Sequence, residues 1–372
     1  MTKQIKSSED RYEQASPPGD PLFLERIKGK LDERLRDADE NLTWLYDNLH
    51  PYFFITMKEE TEAIINLTVA LKSVPTQRRI TLVDQDKKLI LACLDVPGTL
   101  YETLRNLQKR EISYAEIIHS NGVIRGADCE LEIQRFEFDR KTAEEIQNGS
   151  PLKVPRKISK DVLGSMKQMY PKSDFKMFHK TLHLLWLNNR DYVRISPPER
   201  VARALWLYQQ GEKHDGLFLD LEEVEQVSSH RETRLLFSVA NPKQRGFLTQ
   251  TSEVFQRLDI GVHRFYALII TTGDYTYFLG TFYVTPRAGT FLKKDSNLYR
   301  KAKREFYNTQ TLSISGFTYT QFVKDRIMNG EEASLTNAFI AFCHTNLAHN
   351  QPDRFDLEMV RSAFQSDPEI SL

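Results

Sequence analysis

Two stretches of the chain share one layout, and that repetition constrains the fold more than any other feature. In the first, residues 89–94 are an almost wholly apolar run between polar turns, as a buried strand requires. Residues 95–98 make a tight loop, and 99–110 carry Leu100, Leu104 and Leu107 at helical spacing. Strands are expected at 112–119 and 129–138, on either side of the Asn121-Gly122 turn signal. The second stretch runs in the same order: strand 234–240, loop 241–246, helix 247–258, strand 261–272, turn Gly273-Asp274 and strand 275–285. From the loop glycine onward the two align without a gap. Gly98 falls on Gly246, Leu100 on Leu248, Leu107 on Phe255, Gln108 on Gln256 and Ile112 on Ile260. Identical spacing of this kind points to an internal duplication.

A strand–helix–strand–strand unit is the front part of a ferredoxin-like βαββαβ sandwich. The expected fold class is therefore α+β, with tandem modules of that type, an N-terminal helical segment and helical linkers. Residues 298–308 would be the second helix of the later module and 311–317 its fourth strand; no fourth strand is evident for the first module. The chain divides on this basis into a polar tail (1–20), an N-terminal helical segment (21–75), a first module (76–155), a helical linker region (156–230), a second module (231–320) and C-terminal helices (321–372). Residues 79–84 and 88–94 predict a hairpin that leads into the first module. In the N-terminal segment Leu24, Ile27, Leu31, Leu35, Ala38, Leu42, Leu45 and Leu49 recur at steps of three and four, which predicts a long amphipathic helix. That stripe suits either packing on its own domain or contact within an oligomer.

The 372 residues carry 51 Lys+Arg against 51 Asp+Glu. A balanced charge argues against nucleic acid as the main partner, since phosphate binding needs a basic excess or a concentrated basic face. Tyr275, Tyr277, Phe278, Phe282 and Tyr283 could stack bases on a sheet, but without basic excess they are expected to be core. Three scattered cysteines, Cys93, Cys129 and Cys343, do not make a disulfide framework and fit a reducing, cytoplasmic setting. Residues 1–19 are polar with no apolar core for a signal peptide, and no apolar run approaches membrane-spanning length, so no membrane partner is expected.

The loop before the first repeated helix holds the most suggestive chemistry. Backbone amides that open a helix are unpaired donors at the positive end of its dipole, which favours a carboxylate or other anion. Gly98 permits close backbone approach, and Asp95 can accept from an ammonium group. Asp95, Gly98, Thr99 and Leu100 therefore form a candidate site for a zwitterionic amino-acid effector, with Asn241, Gly246 and Phe247 as the second copy. A plain tight turn before a helix would use the same residues.

In this context Asp95-Val96-Pro97-Gly98-Thr99-Leu100 resembles the ACT-domain signature, a small module that commonly senses amino acids. The second loop is two residues longer and lacks the acidic residue. More widely, residues 40–372 resemble the N-terminal region of the large NAD-dependent glutamate dehydrogenases. The likeness rests on the tandem units, the helix start from Ser196-Pro197-Pro198-Glu199 to Arg203, and the helix at 335–344. It implies an allosteric control and assembly role, no catalytic residue and no cofactor in this region, NAD and the catalytic dehydrogenase region lying further on as partner, and a homo-oligomer. Asp367-Pro368-Glu369 looks like a cap and first turn, so the chain is expected to continue into a following helix. A purely structural oligomerisation region is the alternative.

Elsewhere the chemistry is sparse. No Gly-x-Gly-x-x-Gly follows a strand, and neither a phosphate-loop motif nor a Gly-x-Ser-x-Gly elbow occurs. His179 and His183 have the i, i+4 spacing of a metal pair, but Lys180 stands where a metalloprotease has Glu, and no metal is expected there. The acidic run Glu222, Glu223 and Glu225 is expected to be solvated surface.

Overall fold

A computed structural model describes residues 21–31, 38–57, 60–107, 109–148, 153–214, 217–223, 232–242, 246–286, 292–309, 312, 316–323, 327–351 and 354–367. Among them the helices are α1 (Pro21–Leu31), α2 (Ala38–Asn48), α3 (Pro51–Thr56), α4 (Thr61–Ala70), α5 (Val74–Gln77), α6 (Thr99–Asn106), α7 (Ala143–Gln147), α8 (Arg156–Met169), α9 (Phe178–Asn188), α10 (Arg190–Ile195), α11 (Pro198–Lys213), α12 (Phe247–Arg257), α13 (Asn297–Asn308), α14 (Gly330–Asn350) and α15 (Leu357–Gln365). The strands are β1 (Arg79–Gln85), β2 (Lys88–Leu94), β3 (Tyr114–Val123), β4 (Glu130–Glu137), β5 (Leu217–Glu223), β6 (Thr233–Ala240), β7 (Ile260–Thr271) and β8 (Thr276–Pro286). The fold is α+β. None of the described helices is long and apolar enough to cross a membrane.

All eight strands join one antiparallel sheet in the order β1-β2-β4-β3-β7-β8-β6-β5. Each half reads outward strand, first, third, second of its repeat. The halves meet where the two second strands, β3 and β7, pair antiparallel. The shift that carries Gly98 onto Gly246 also carries Ile117 onto Phe265, and these two residues are Cα partners. The pairing therefore has a local two-fold centre at Ile117–Phe265, and the repeat seen in the sequence is repeated in register.

The outermost position of each half is filled from the N-terminal side, by β1 and by β5. This corrects the placement of a fourth strand at 311–317: Phe317 begins a helical turn, residues 310, 311 and 313–315 lie outside the described residues, and β5 already occupies the position. β5 lies inside the stretch 156–230 expected to be a helical linker region, and it carries Glu222 and Glu223 of the acidic run expected to be solvated surface. Glu222 pairs across to Arg234 instead, with its carboxylate 2.9 Å from Arg234 Nη1 and 3.7 Å from Arg203 Nε. Glu222, at least, belongs to a largely buried ion cluster rather than to a solvated face; Glu225 lies outside the described residues.

Two layers of helix bury one face of the sheet, each in its own core. Over the first half, Ile90, Ala92, Leu94, Ile118, Leu131 and Ile133 pack with the N-terminal helices. Ile27, Leu31, Ala38, Leu42, Leu45 and Leu49 of the predicted stripe are in that same core, at most 3% exposed. The stripe thus packs on its own domain, and it is carried by α1 and α2; residues 32–37 lie outside the described residues. Over the second half, Leu236, Leu268, Ile270, Tyr277 and Leu279 pack with Phe178, Leu182, Leu185, Trp186, Val201, Leu205 and Tyr208 of the 156–213 helices. Tyr277, Phe278, Phe282 and Tyr283 are buried and form core as expected, whereas Tyr275, ahead of β8, is 53% exposed and does not.

The described chain divides into two compact units, residues Met1–Pro242 with Ile260–Leu292, and Lys243–Asp259 with Lys293–Leu372. The first holds the whole sheet. The second holds α12 to α15, where Phe255 meets Phe306 edge-on at 5.1 Å and Arg257 bonds Glu305 at 2.8 Å.

Candidate functional site

The loop after β2 folds around its glycine. Gly98 has φ +94° and forms the N-cap of α6, a left-handed conformation that a side chain disfavours. Gly246 holds the equivalent place before α12 with φ +84°. A Gly98→Ala variant is expected to lose about 1–2 kcal/mol of stability, readable as a lower urea midpoint with an unchanged m-value. Asn, which tolerates the left-handed region, should lose less.

Much of the loop's hydrogen bonding is internal. Asp95 N–H donates to Glu130 O, Val96 N–H to Leu94 O, and Thr99 N–H to Val96 O at 3.1 Å. The Thr99 hydroxyl turns inward to Leu94 O at 3.2 Å. One of the amides expected to face an anion therefore closes the turn. Leu100 is half-buried. In the second loop, Asn241 sits at φ +46° and clasps the β7–β8 hairpin end: its N–H donates to Thr276 O, and its side-chain oxygen accepts from Thr276 N–H at 2.9 Å. Phe247 is buried, and residues 243–245 lie outside the described residues. Asn241 is thus occupied as a structural clasp.

Asp95 leads to a group of side chains that no local motif announced. Its carboxylate lies 3.0 Å from His119 Nδ1, and the other ring nitrogen of His119 is 2.9 Å from Glu132 Oε2. Sheet register builds this contact. Arg79, Cys93, Glu132 and His119 are successive Cα partners on β1, β2, β4 and β3, so they form one polar row across the sheet. Gln134 donates its side-chain amide to the remaining Glu132 oxygen. Burial by itself would lower the His119 pKa, but Asp95 and Glu132 outweigh it and hold the imidazole up to about 10. His119 thus hydrogen-bonds Glu132 through Nε2, and its Nδ1 faces the Asp95 carboxylate as an ion pair. The neighbouring Cys93 thiol is pushed up to about 12, first by burial and then by the Glu132 charge.

The row continues across the seam. His263 of β7 stands next to His119, with ring centroids 6.0 Å apart and planes at 80°. Ligand atoms of His119, Glu130 and His263 lie within 4.8 Å of one another, as do those of Asp95, His119 and Glu132. His119 is buried, whereas Asp95, Glu130 and His263 are partly open. His179 and His183, which have the spacing of a metal pair but are not expected to bind one, are exposed and half-buried on α9 and belong to neither group.

Of the predicted site residues, Asp95, Gly98, Thr99 and Leu100 are brought together at one strand-to-helix turn. Sequence reasoning missed His119, Glu130, Glu132 and His263. They are far apart along the chain and converge only through strand pairing. The signal that could have found them is the repeat itself: once β3 and β7 are paired about Ile117 and Phe265, His119 and His263 become cross-strand neighbours. No family model matches the chain, and no curated protein is similar enough to it to count as a relative.

Proposed function

We propose that this chain is a regulatory and assembly region of a large NAD-dependent glutamate dehydrogenase, and that its two strand–helix–strand–strand units are ACT-type, ferredoxin-like modules. An amino acid or similar effector binds at the 95–100 turn of the first module, near where the modules meet. Oxidative deamination of glutamate, and NAD itself, belong to a catalytic region outside these residues. The observation that carries this reading is the matched pair of units, each with the same strand order and a left-handed glycine cap, joined edge to edge through β3 and β7.

Asp95 is 33% exposed on its side chain, so an effector's ammonium group would share it with His119. The first-turn backbone amides of α6 lie at the positive end of the helix, where an effector carboxylate gains from the dipole. Binding that reorients the modules across their seam needs a coupling of only about 1–3 kcal/mol to control an attached enzyme. The test is a thermal-stability screen with individual amino acids at millimolar concentration. A true effector at a hundredfold excess over its Kd should stabilise the chain by about 2.7 kcal/mol, and Asp95→Asn should shrink that gain. A flat screen would remove the sensing role.

One feature favours the alternative of assembly alone. Leu335, Phe339 and Phe342 recur on one side of α14 and are 57%, 51% and 66% exposed. An apolar stripe of this kind suits contact with another protein surface. If Phe342→Glu lowers the mass seen by light scattering while every amino acid leaves stability unchanged, the region acts in assembly without sensing.

A further inference from the structure

We infer that His119, His263 and Glu130 form a binding site for a divalent transition-metal ion of the zinc class, which fastens the two repeats together across the β3–β7 seam. Two imidazoles and a carboxylate are a donor set that zinc and its neighbours accept, with an open position left for water or a ligand. The donors already lie within 4.8 Å of one another, so small side-chain rotations bring them to the roughly 2.0–2.2 Å bonds such an ion makes.

Three observations point the same way. First, the backbone departs from regular pairing at both histidines. The β7–β8 register shifts between Val262 and Arg264, at His263, and the β3–β4 register shifts just after His119. Bulges re-aim side chains and are over-represented beside functional sites. Secondly, the outer partners of a metal site are in place. A ligating histidine commonly gives its second ring N–H to a carboxylate, which sets its orientation and basicity; His119 has Asp95 on one nitrogen and Glu132 on the other, so either nitrogen can turn to the ion while the opposite one stays anchored. Thirdly, the ion has a way in, because Glu130 and His263 are partly open while His119 forms the buried floor.

The placement has a structural consequence. Glu130 O accepts the Asp95 N–H at the start of the 95–98 loop. An ion on the Glu130 side chain therefore anchors both β7 and the strand that holds this loop. This inference goes beyond effector sensing and does not depend on it.

The experiment is a titration of the whole chain, stripped with a chelator, using Zn²⁺ alone in calorimetry and Co²⁺ alone in absorption spectroscopy. The expected result is one ion per chain, with cobalt bands of low-symmetry nitrogen–oxygen coordination. His263→Ala and Glu130→Ala replace partly open side chains and should fold normally by circular dichroism, yet weaken zinc by more than the roughly 10–100-fold that loss of an outer partner produces. Glu132→Gln should fall within that range. A double His179→Ala, His183→Ala variant should bind zinc as the parent does. Absence of a stoichiometric zinc site in the parent, or undiminished binding by His263→Ala, overturns the assignment; so does loss of binding in the His179, His183 variant, which would move the metal to α9.

Discussion

Replacing Glu222 with Gln is expected to cost about 3 kcal/mol of stability, although the substitution keeps the size of the side chain and its ability to accept from Tyr170. Glu222 faces two guanidinium groups that have almost no access to water: Arg203 is 1% and Arg234 5% exposed. Its carboxylate is 2.9 Å from Arg234, 3.7 Å from Arg203 and 3.1 Å from the Tyr170 hydroxyl. Removing the negative charge takes away the carboxylate that faces both buried guanidinium groups, and this weakened neutralisation of buried positive charge is what destabilises. Glu222 itself keeps 27% side-chain exposure, so the expected cost sits at the lower end of the range for buried pairs. Urea unfolding of the two proteins at neutral pH measures it.

The same pair of proteins gives a pH prediction. Burial by itself would raise the Glu222 pKa, but Arg203 and Arg234, with the Tyr170 hydroxyl, outweigh it, and the carboxyl lies below its ordinary value. A group depressed in the folded state stabilises fully above its unfolded pKa, about 4.3 for Glu, and that stabilisation is lost as pH falls through the folded value. The advantage of the parent over Glu222→Gln should therefore be constant from neutral pH down to about 4.5 and then shrink. A difference that grows on acidification would show that Glu222 is not held as the counter-ion.

Phe265→Ala is expected to cost about 3–5 kcal/mol, the usual range for removing a buried phenyl ring from a core. Phe265 is fully buried and stands opposite Ile117 at the two-fold centre of the seam. Its ring lies 5.2 Å from Phe282, which in turn meets Phe237 at 6.4 Å. The cavity would open where the repeats join, so hydrogen exchange should speed up in β3 and β7 together. Phe255→Ala is the control. Phe255 is 2% exposed and belongs to the other compact unit, where it packs on Phe306. It should lose stability without raising exchange at 114–118. If Phe265→Ala leaves β3 exchange unchanged, the halves of the sheet are not coupled through the seam.

The repeat was legible because its elements are short and locally encoded. Apolar runs at 89–94 and 234–240 and the glycines at 98 and 246 state strand and turn within a few residues, and the structure places each of them as expected. The missed strand β5 shows the limit of that method. Glu222 and Glu223 are read from a single sequence as solvent-facing, since nothing nearby along the chain reveals that Arg203 and Arg234 lie across from Glu222. The N-terminal stripe shows another limit: periodicity announced an apolar face, but whether that face met its own domain or another chain depended on residues 63–133, which complete the same core.

The candidate site divides along the same line. Asp95, Gly98, Thr99 and Leu100 are contiguous, so local backbone preference was enough to bring them to one turn. His119, Glu130, Glu132 and His263 are joined by hydrogen-bonded register between strands, and a slip of one residue would send each to the opposite face. The sequence by itself determined the three strands of each repeat, the glycine-capped turns and the duplication, because these follow from the backbone preferences and apolar spacing of neighbouring residues. Only the tertiary structure decided which strands became neighbours, and with that which charges met across the seam, because pairing depends on long-range burial that no short stretch of chain encodes.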